Sequence, residues 1–289
     1  MNKEIDNKNK LEELFQYEIV TFTEWKKLRD FLFNLNEKSS IHHYCYRGQS
    51  DANWTLKPSI ERLHSKDADF FTKEWNRITE KNILDNYKKG FHLFSENTFD
   101  HRTINNDIDW LSLMQHHGAA TRLLDVSASQ FISCFFALSD VFSISESACI
   151  WIIPLNVLDN FNVEKLNITA KDRYNHLYNE YQMLKLGTGK GKEIIGYSFL
   201  DMPSKRPFLQ KGGFLYSMTN KQSFSELLHL YSNENKKNIK KVIFKKENKH
   251  EVKLALKDLI NMNVSFSTLF PGLDGYTKDL LLREYISIG

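Results

Sequence analysis

A chain of 289 residues, 41% hydrophobic and 26% charged, has the balance of a folded globular protein and the length for one large domain or two small ones. Its net charge of +3 is too small to demand a nucleic-acid partner, and no apolar run approaches the roughly 20 residues that span a bilayer. The three cysteines (Cys45, Cys134 and Cys149) form no CxxC pair and lie in apolar runs, so they read as buried, reduced thiols of a cytoplasmic protein.

In chain order, the residues up to about Asn9 read as a polar leader without signal-peptide character. Thr21 and Glu24 form a T-x-x-E capping box ahead of Trp25, Leu28, Phe31, Leu32 and Leu35, which predicts a first helix ending near Leu35. His42 to Arg47 reads as a short strand stopped by Gly48, and about Asp67 to Phe94 as helical. Asp107 or Asp109 caps a helix carrying Trp110, Leu113, Met114 and His117, with Gly118 as its stop. Ala128 to Phe142 is an apolar helix, and Cys149 to Ile153 a buried strand ended by Pro154. Phe208 to Ser217 reads as two short strands, or one bent at Gly212-Gly213. Val242 to Phe244 is a further strand, and helices from Glu247 to Met262 and from Asp274 to Tyr285 follow. The elements predict an α+β fold, with a small mixed or antiparallel sheet core and helical elaborations. Residues 1–39 form a leader and helix, and 40–289 the main domain.

Two segments concentrate polar chemistry: Tyr46-Arg47-Gly48-Gln49-Ser50, and Gln115-His116-His117-Gly118 running on through Thr121-Arg122-Leu123-Leu124-Asp125-Val126-Ser127. Buried arginine, histidine and aspartate cost several kcal/mol unless paired, so these residues either satisfy one another or await a polar ligand. A strand ending in Tyr-Arg-Gly leaves a guanidinium fork at its edge, suited to phosphate or carboxylate, with glycine permitting close approach of a ligand. An internal ion pair of Arg47 with Asp125 is compatible with that role. Other motifs carry less. Gly187 to Lys192 lacks the phosphate-loop pattern and reads as a surface loop. His116 and His117 point about 100° apart on a helix and have no companion ligands for zinc. Ser127 and Ser129 have no nucleophile elbow around them. The lysines at 236, 237, 240, 241, 245, 246, 249 and 253 suit either phosphate contact or, given the alternation at Val242 and Phe244, a lysine-guarded sheet edge.

These segments resemble the FRG domain family, named for its Phe/Tyr-Arg-Gly motif. Trp54, Lys57-Pro58-Ser59, Trp110 to Gly118, Thr121 to Asp125, Phe135 to Leu138, Gln210 to Phe214 and Leu269 to Gly275 extend the likeness in order over roughly residues 40 to 285. The resemblance implies, loosely, a bacterial role in anti-phage defence or toxicity. A second likeness is to ADP-ribosyltransferases of the R-S-E type, which carry an arginine strand, a serine strand leading into a helix, and a late glutamate. Arg47, then Asp125-Val126-Ser127 before Phe131 to Leu138, and Gln210 stand in that order. The likeness implies NAD as substrate and Arg47, Asp125, Ser127 and Gln210 as the catalytic set. Tyr46, Gly48, Gln49, His117 and Arg122 then serve as nucleotide contacts, and a protein or nucleic acid as acceptor. Gln210 departs from the pattern, because an amide lacks the negative charge that stabilises a ribosyl cation, and Asp125 is the nearest substitute. Two alternatives stay open: a non-catalytic ligand-sensing or interaction module, and a nuclease built on His116, His117, Asp125 and the lysines.

Overall fold

The computed structural model describes residues 17–37, 43–63, 73–94, 104, 106–167, 193–199, 205–219, 222–234 and 239–288. In chain order the elements are β1 (Glu18–Phe22), α1 (Trp25–Glu37), β2 (Tyr44–Gln49), α2 (Ser59–Arg62), α3 (Lys73–Phe94) and α4 (Asp107–His116). There follow β3 (Leu123–Ser127), α5 (Gln130–Leu138), β4 (Ser147–Pro154), α6 (Leu155–Leu166), β5 (Ile195–Phe199) and α7 (Lys205–Leu209). The remaining elements are β6 (Gly212–Ser217), α8 (Phe224–Glu234), β7 (Lys240–Lys245), α9 (Lys249–Asn261), α10 (Phe266–Leu269) and α11 (Leu273–Ser287).

The strands form one mixed sheet in the order β1-β7-β4-β2-β3-β6-β5, antiparallel except where β1 lies parallel to β7. This is an α+β fold. Helices cover both faces, so the interior strand β4 is apolar on both sides, with Ala148 to Ile153 all buried. On one face Tyr46, Ile150, Ile152, Val242 and Phe244 pack against α1, α5 and α9. Further along that face Leu123, Phe214 and Tyr216 meet Leu84 of α3 and Leu111 and Met114 of α4. On the opposite face Cys45, Trp151, Ile153, Val126 and Leu215 pack under α6 and α8. Among the described residues no helix is long and apolar enough to cross a membrane. Cys45, Cys134 and Cys149 are free and buried, and burial pushes the Cys149 thiol up to about 12.

Several local expectations change for identifiable reasons. Thr21 belongs to β1, opposite Ile243, so it cannot cap α1. The first turn is closed instead by a long-range partner: the Trp25 main-chain N–H donates to the Glu251 carboxylate of α9 at 2.7 Å. Asn106 caps α4 by accepting from the Asp109 N–H, in place of Asp107 or Asp109, and the helix ends with Gly118 at φ +92°. Ser129 caps α5, which starts at Gln130 rather than Ala128 and ends at Leu138. The Phe208 region is helical (α7), and only Gly212–Ser217 is strand. The lysine-guarded edge is also corrected, because β7 lies inside the sheet between β1 and β4. Lys241 is buried with its ammonium 5.2 Å from the Trp151 ring and 5.9 Å from the Tyr17 ring, so cation–π contact replaces solvent. The Gly187 to Lys192 stretch lies outside the described residues.

Strand β2 continues through Gly48 to Gln49. A Cβ on Gly48 would sit 1.9 Å from the main-chain oxygen of Ser133 in α5, so this glycine lets the helix lie directly on the strand. Close approach by α5 backbone takes the place of close approach by a ligand. Gly48→Ala is expected to cost about 2–3 kcal/mol through overpacking, read as a lower urea midpoint at unchanged slope.

Candidate functional site

Strands β2 and β3 are paired at one register position, Tyr46 opposite Ser127, and part beyond it. The opening is the mouth of a cleft of about 400 Å³. Arg47 spans the parting: its Nη1 donates to the main-chain oxygen of Asp125 at 2.5 Å and lies 3.8 Å from the Asp125 carboxylate. The side chain is 17% exposed, and burial lowers its pKa while Asp125 opposes the shift. A guanidinium stays charged through such a shift, so the cleft keeps a fixed cation.

Asp125 is held from the other side. Gln115 of α4 donates through Nε2 to Asp125 Oδ1 at 2.9 Å, while the Thr121 hydroxyl donates to the Gln115 amide oxygen. That orientation leaves the carboxylate 68% exposed at the cleft. Arg206 of α7 stacks 4.4 Å from the Phe270 ring centroid, and burial lowers its pKa, again against the pull of Asp125. His116 also lines the cleft. Its pKa falls below 6.5 through burial first, then through the positive charges of Arg206 and His117. The unfolded chain therefore binds more protons just below pH 6.5, and stability drops as pH falls through that window. His116→Gln is expected to flatten that portion of the melting-temperature profile.

The floor is closed by a turn between α7 and β6. The Ser127 hydroxyl donates to the Gln210 main-chain oxygen at 2.8 Å and accepts from the Ser129 N–H at 3.0 Å. Gln210 Nε2 donates to the Leu269 oxygen at 3.1 Å, and Lys211 adopts φ +45° to lead the chain into Gly212-Gly213. Two buried polar atoms of the lining, Arg47 Nε and Ser133 Oγ, have no hydrogen-bond partner among the described residues. Unmade bonds of this kind cost about 1–3 kcal/mol each and mark a network a polar ligand or water completes.

Of the residues expected from sequence, Arg47, Asp125, Ser127, Gln210, Tyr46 and Gly48 line this one cleft. Gln49, Arg122 and His117 do not. Gln49 accepts from the Trp151 indole at 2.8 Å within the buried core. Arg122 is tied to the buried Glu80 carboxylate at 2.5 Å. His117 lies past the last turn of α4, exposed. Sequence reasoning missed Gln115, Arg206 and Phe270 as cleft residues, although Gln115 and Phe270 stood inside the motifs. Arg206 carried no motif signal. Among the described residues no group of three or more His, Cys, Asp or Glu is placed to hold a metal ion.

Comparison with known proteins adds one match. Neither the curated proteins nor the solved structures contain a match to the chain. The model of the FRG domain matches residues 42–145, which run from the approach to β2 through α5. That segment supplies Arg47, Gln115, Asp125 and Ser127, whereas Arg206 and Gln210 come to the cleft from outside it. With the arginine strand, the aspartate strand and the helix packed on Gly48 all inside the matched segment, the chain carries an FRG domain over residues 42–145.

Proposed function

We propose that the cleft binds NAD or a related nucleotide and that the protein acts on it as an ADP-ribosyltransferase or NAD glycohydrolase. One observation carries the reading: Arg47, Ser127 and Gln210, the three positions that follow the ADP-ribosyltransferase order, line a single cleft despite their separation along the chain. The volume of about 400 Å³ lies in the range of small-molecule sites. Arg47 and Arg206 offer cations to a diphosphate, and Tyr46, Phe136, Phe214 and Phe270 offer apolar surface to rings. Asp125, oriented by Gln115, brings a negative charge that the Gln210 amide lacks. Ser127 acts indirectly, by fixing the Gln210 turn. Consumption of NAD, or modification of a protein or nucleic-acid acceptor, fits a role in bacterial anti-phage defence or toxicity.

A second reading, a nucleotide sensor without turnover, is favoured by Gln210 itself. Its amide is engaged with Leu269 and offers no carboxylate to the cleft. Incubating the purified chain with NAD while following nicotinamide release and the melting temperature separates the two. Release identifies the enzyme, and stabilisation without release identifies the sensor. Absence of both release and stabilisation overturns nucleotide binding.

A further inference from the structure

Behind the Arg47–Asp125 pair lies a second cavity of about 220 Å³ that shares Arg47, Gln115 and Asp125 with the main cleft. Its floor is β3 at Leu123 to Asp125, and one wall is the end of α4 at Gly118 and Ala119. The other wall brings in Lys57 and Arg62 from α2 and the loop before it. Among the described residues the lining thus brings three cationic side chains beside one carboxylate. At Arg47, where burial is the main cause of a lowered pKa and Asp125 opposes it, the positive charge of Arg62 adds a smaller lowering. Cations held near one another raise the local potential, and an anion placed between them recovers that cost.

The arrangement is fixed by a clamp. Ser59 Oγ accepts from the Thr121 N–H at 2.9 Å and donates to the Thr121 oxygen at 3.2 Å. The Ile60 N–H donates to the same oxygen at 3.1 Å. Lys57 and Arg62 flank this clamp, so both are anchored over the start of β3. Thr121 also orients Gln115, which in turn holds Asp125, so one threonine organises both cavities.

We propose that this second cavity is an anion subsite that takes a phosphate group of the ligand held in the cleft, with Lys57, Arg62 and Arg47 as its cationic lining. The identity of that ligand as a nucleotide rests on the function proposed above, whereas the anion chemistry does not. A phosphate here belongs either to the diphosphate of the nucleotide or to an additional phosphate ester on its ribose.

The test is calorimetric titration of the full chain at two salt concentrations. The ligands are inorganic pyrophosphate, NAD and its 2′-phosphorylated form, and the proteins are wild type and the Lys57→Gln/Arg62→Gln double variant. Both side chains are at least partly exposed, so the variant is expected to keep its circular dichroism and melting temperature. Pyrophosphate binding is expected to weaken on the order of tenfold or more in the variant and to lose part of its salt dependence. If NAD and its 2′-phosphate weaken equally, the subsite reads the diphosphate. A loss confined to the 2′-phosphate assigns it to the additional ester. Pyrophosphate that does not bind wild type, or binds both proteins alike, overturns the subsite whatever NAD does. Pyrophosphate lost in the variant with neither nucleotide binding wild type upholds the subsite and sinks the nucleotide reading instead.

Discussion

Arg47→Ala is expected to weaken NAD binding by about 2–5 kcal/mol, roughly thirtyfold to several-thousandfold, while the protein remains folded. The magnitude follows from removing a largely desolvated cation that faces two cavities at once. The fold tolerates the change because the partner carboxylate is 68% exposed, and such pairs contribute little to stability. What is lost structurally is one bond to the Asp125 main-chain oxygen. Arg47→Lys keeps the charge without the planar fork, so it should recover only part of the affinity. Asp125→Asn separates binding from chemistry: nucleotide affinity should persist while nicotinamide release is lost. A folded Arg47→Ala protein that binds NAD as tightly as wild type would remove the arginine from the site.

The second large effect lies away from the cleft. Glu80 is 1% exposed and accepts from the Arg122 main-chain N–H at 2.7 Å and from its Nε at 2.5 Å. Arg122 also donates through Nη1 to the Ser217 oxygen at 3.1 Å, tying α3 to the start of β3 and the end of β6. Glu80→Ala leaves a buried guanidinium without its counter-charge, a change worth about 3–5 kcal/mol. For a chain of this size that corresponds to a melting temperature lower on the order of 10 °C. Replacing both residues with methionine should restore much of the loss, since neither buried charge is then stranded. A Glu80→Ala protein that melts within a degree or two of wild type would contradict the assignment. Where the variant is still folded, its NAD affinity should match wild type, because Arg122 faces Glu80 rather than the cleft.

The cleft was partly legible because its residues sit in short segments where polar side chains alternate with apolar strand positions. Arg47, Asp125 and Ser127 are examples, and Ser129 lies just where a helix cap belongs. Arg122 sits in the same motif and has the same chemistry as Arg47. Only the position of Glu80, 42 residues earlier, distinguishes the two arginines, and spacing along a chain carries no such information. The same holds for Arg206, which enters from a short helix whose Phe208 and Leu209 resemble strand residues when read beside Gly212. Strand β1 was hidden because Thr21 and Glu24 mimic a cap, while the parallel pairing that claims Thr21 comes from β7, more than 200 residues away. In β7 the lysine pattern misled because Lys241 finds its partner in aromatic faces rather than in water.

Seen mechanically, the sheet is two ladders, β1-β7-β4-β2 and β3-β6-β5, joined by the single pair Tyr46 and Ser127. Within each ladder, several consecutive residue pairs resist bending. Compliance is therefore concentrated at the joint where the cleft opens, and a change in its width breaks few backbone bonds. Arg47 adds a side-chain link across that joint through its bond to the Asp125 carbonyl. The same side chain that presents a cation to a ligand therefore also bridges the two ladders at their joint.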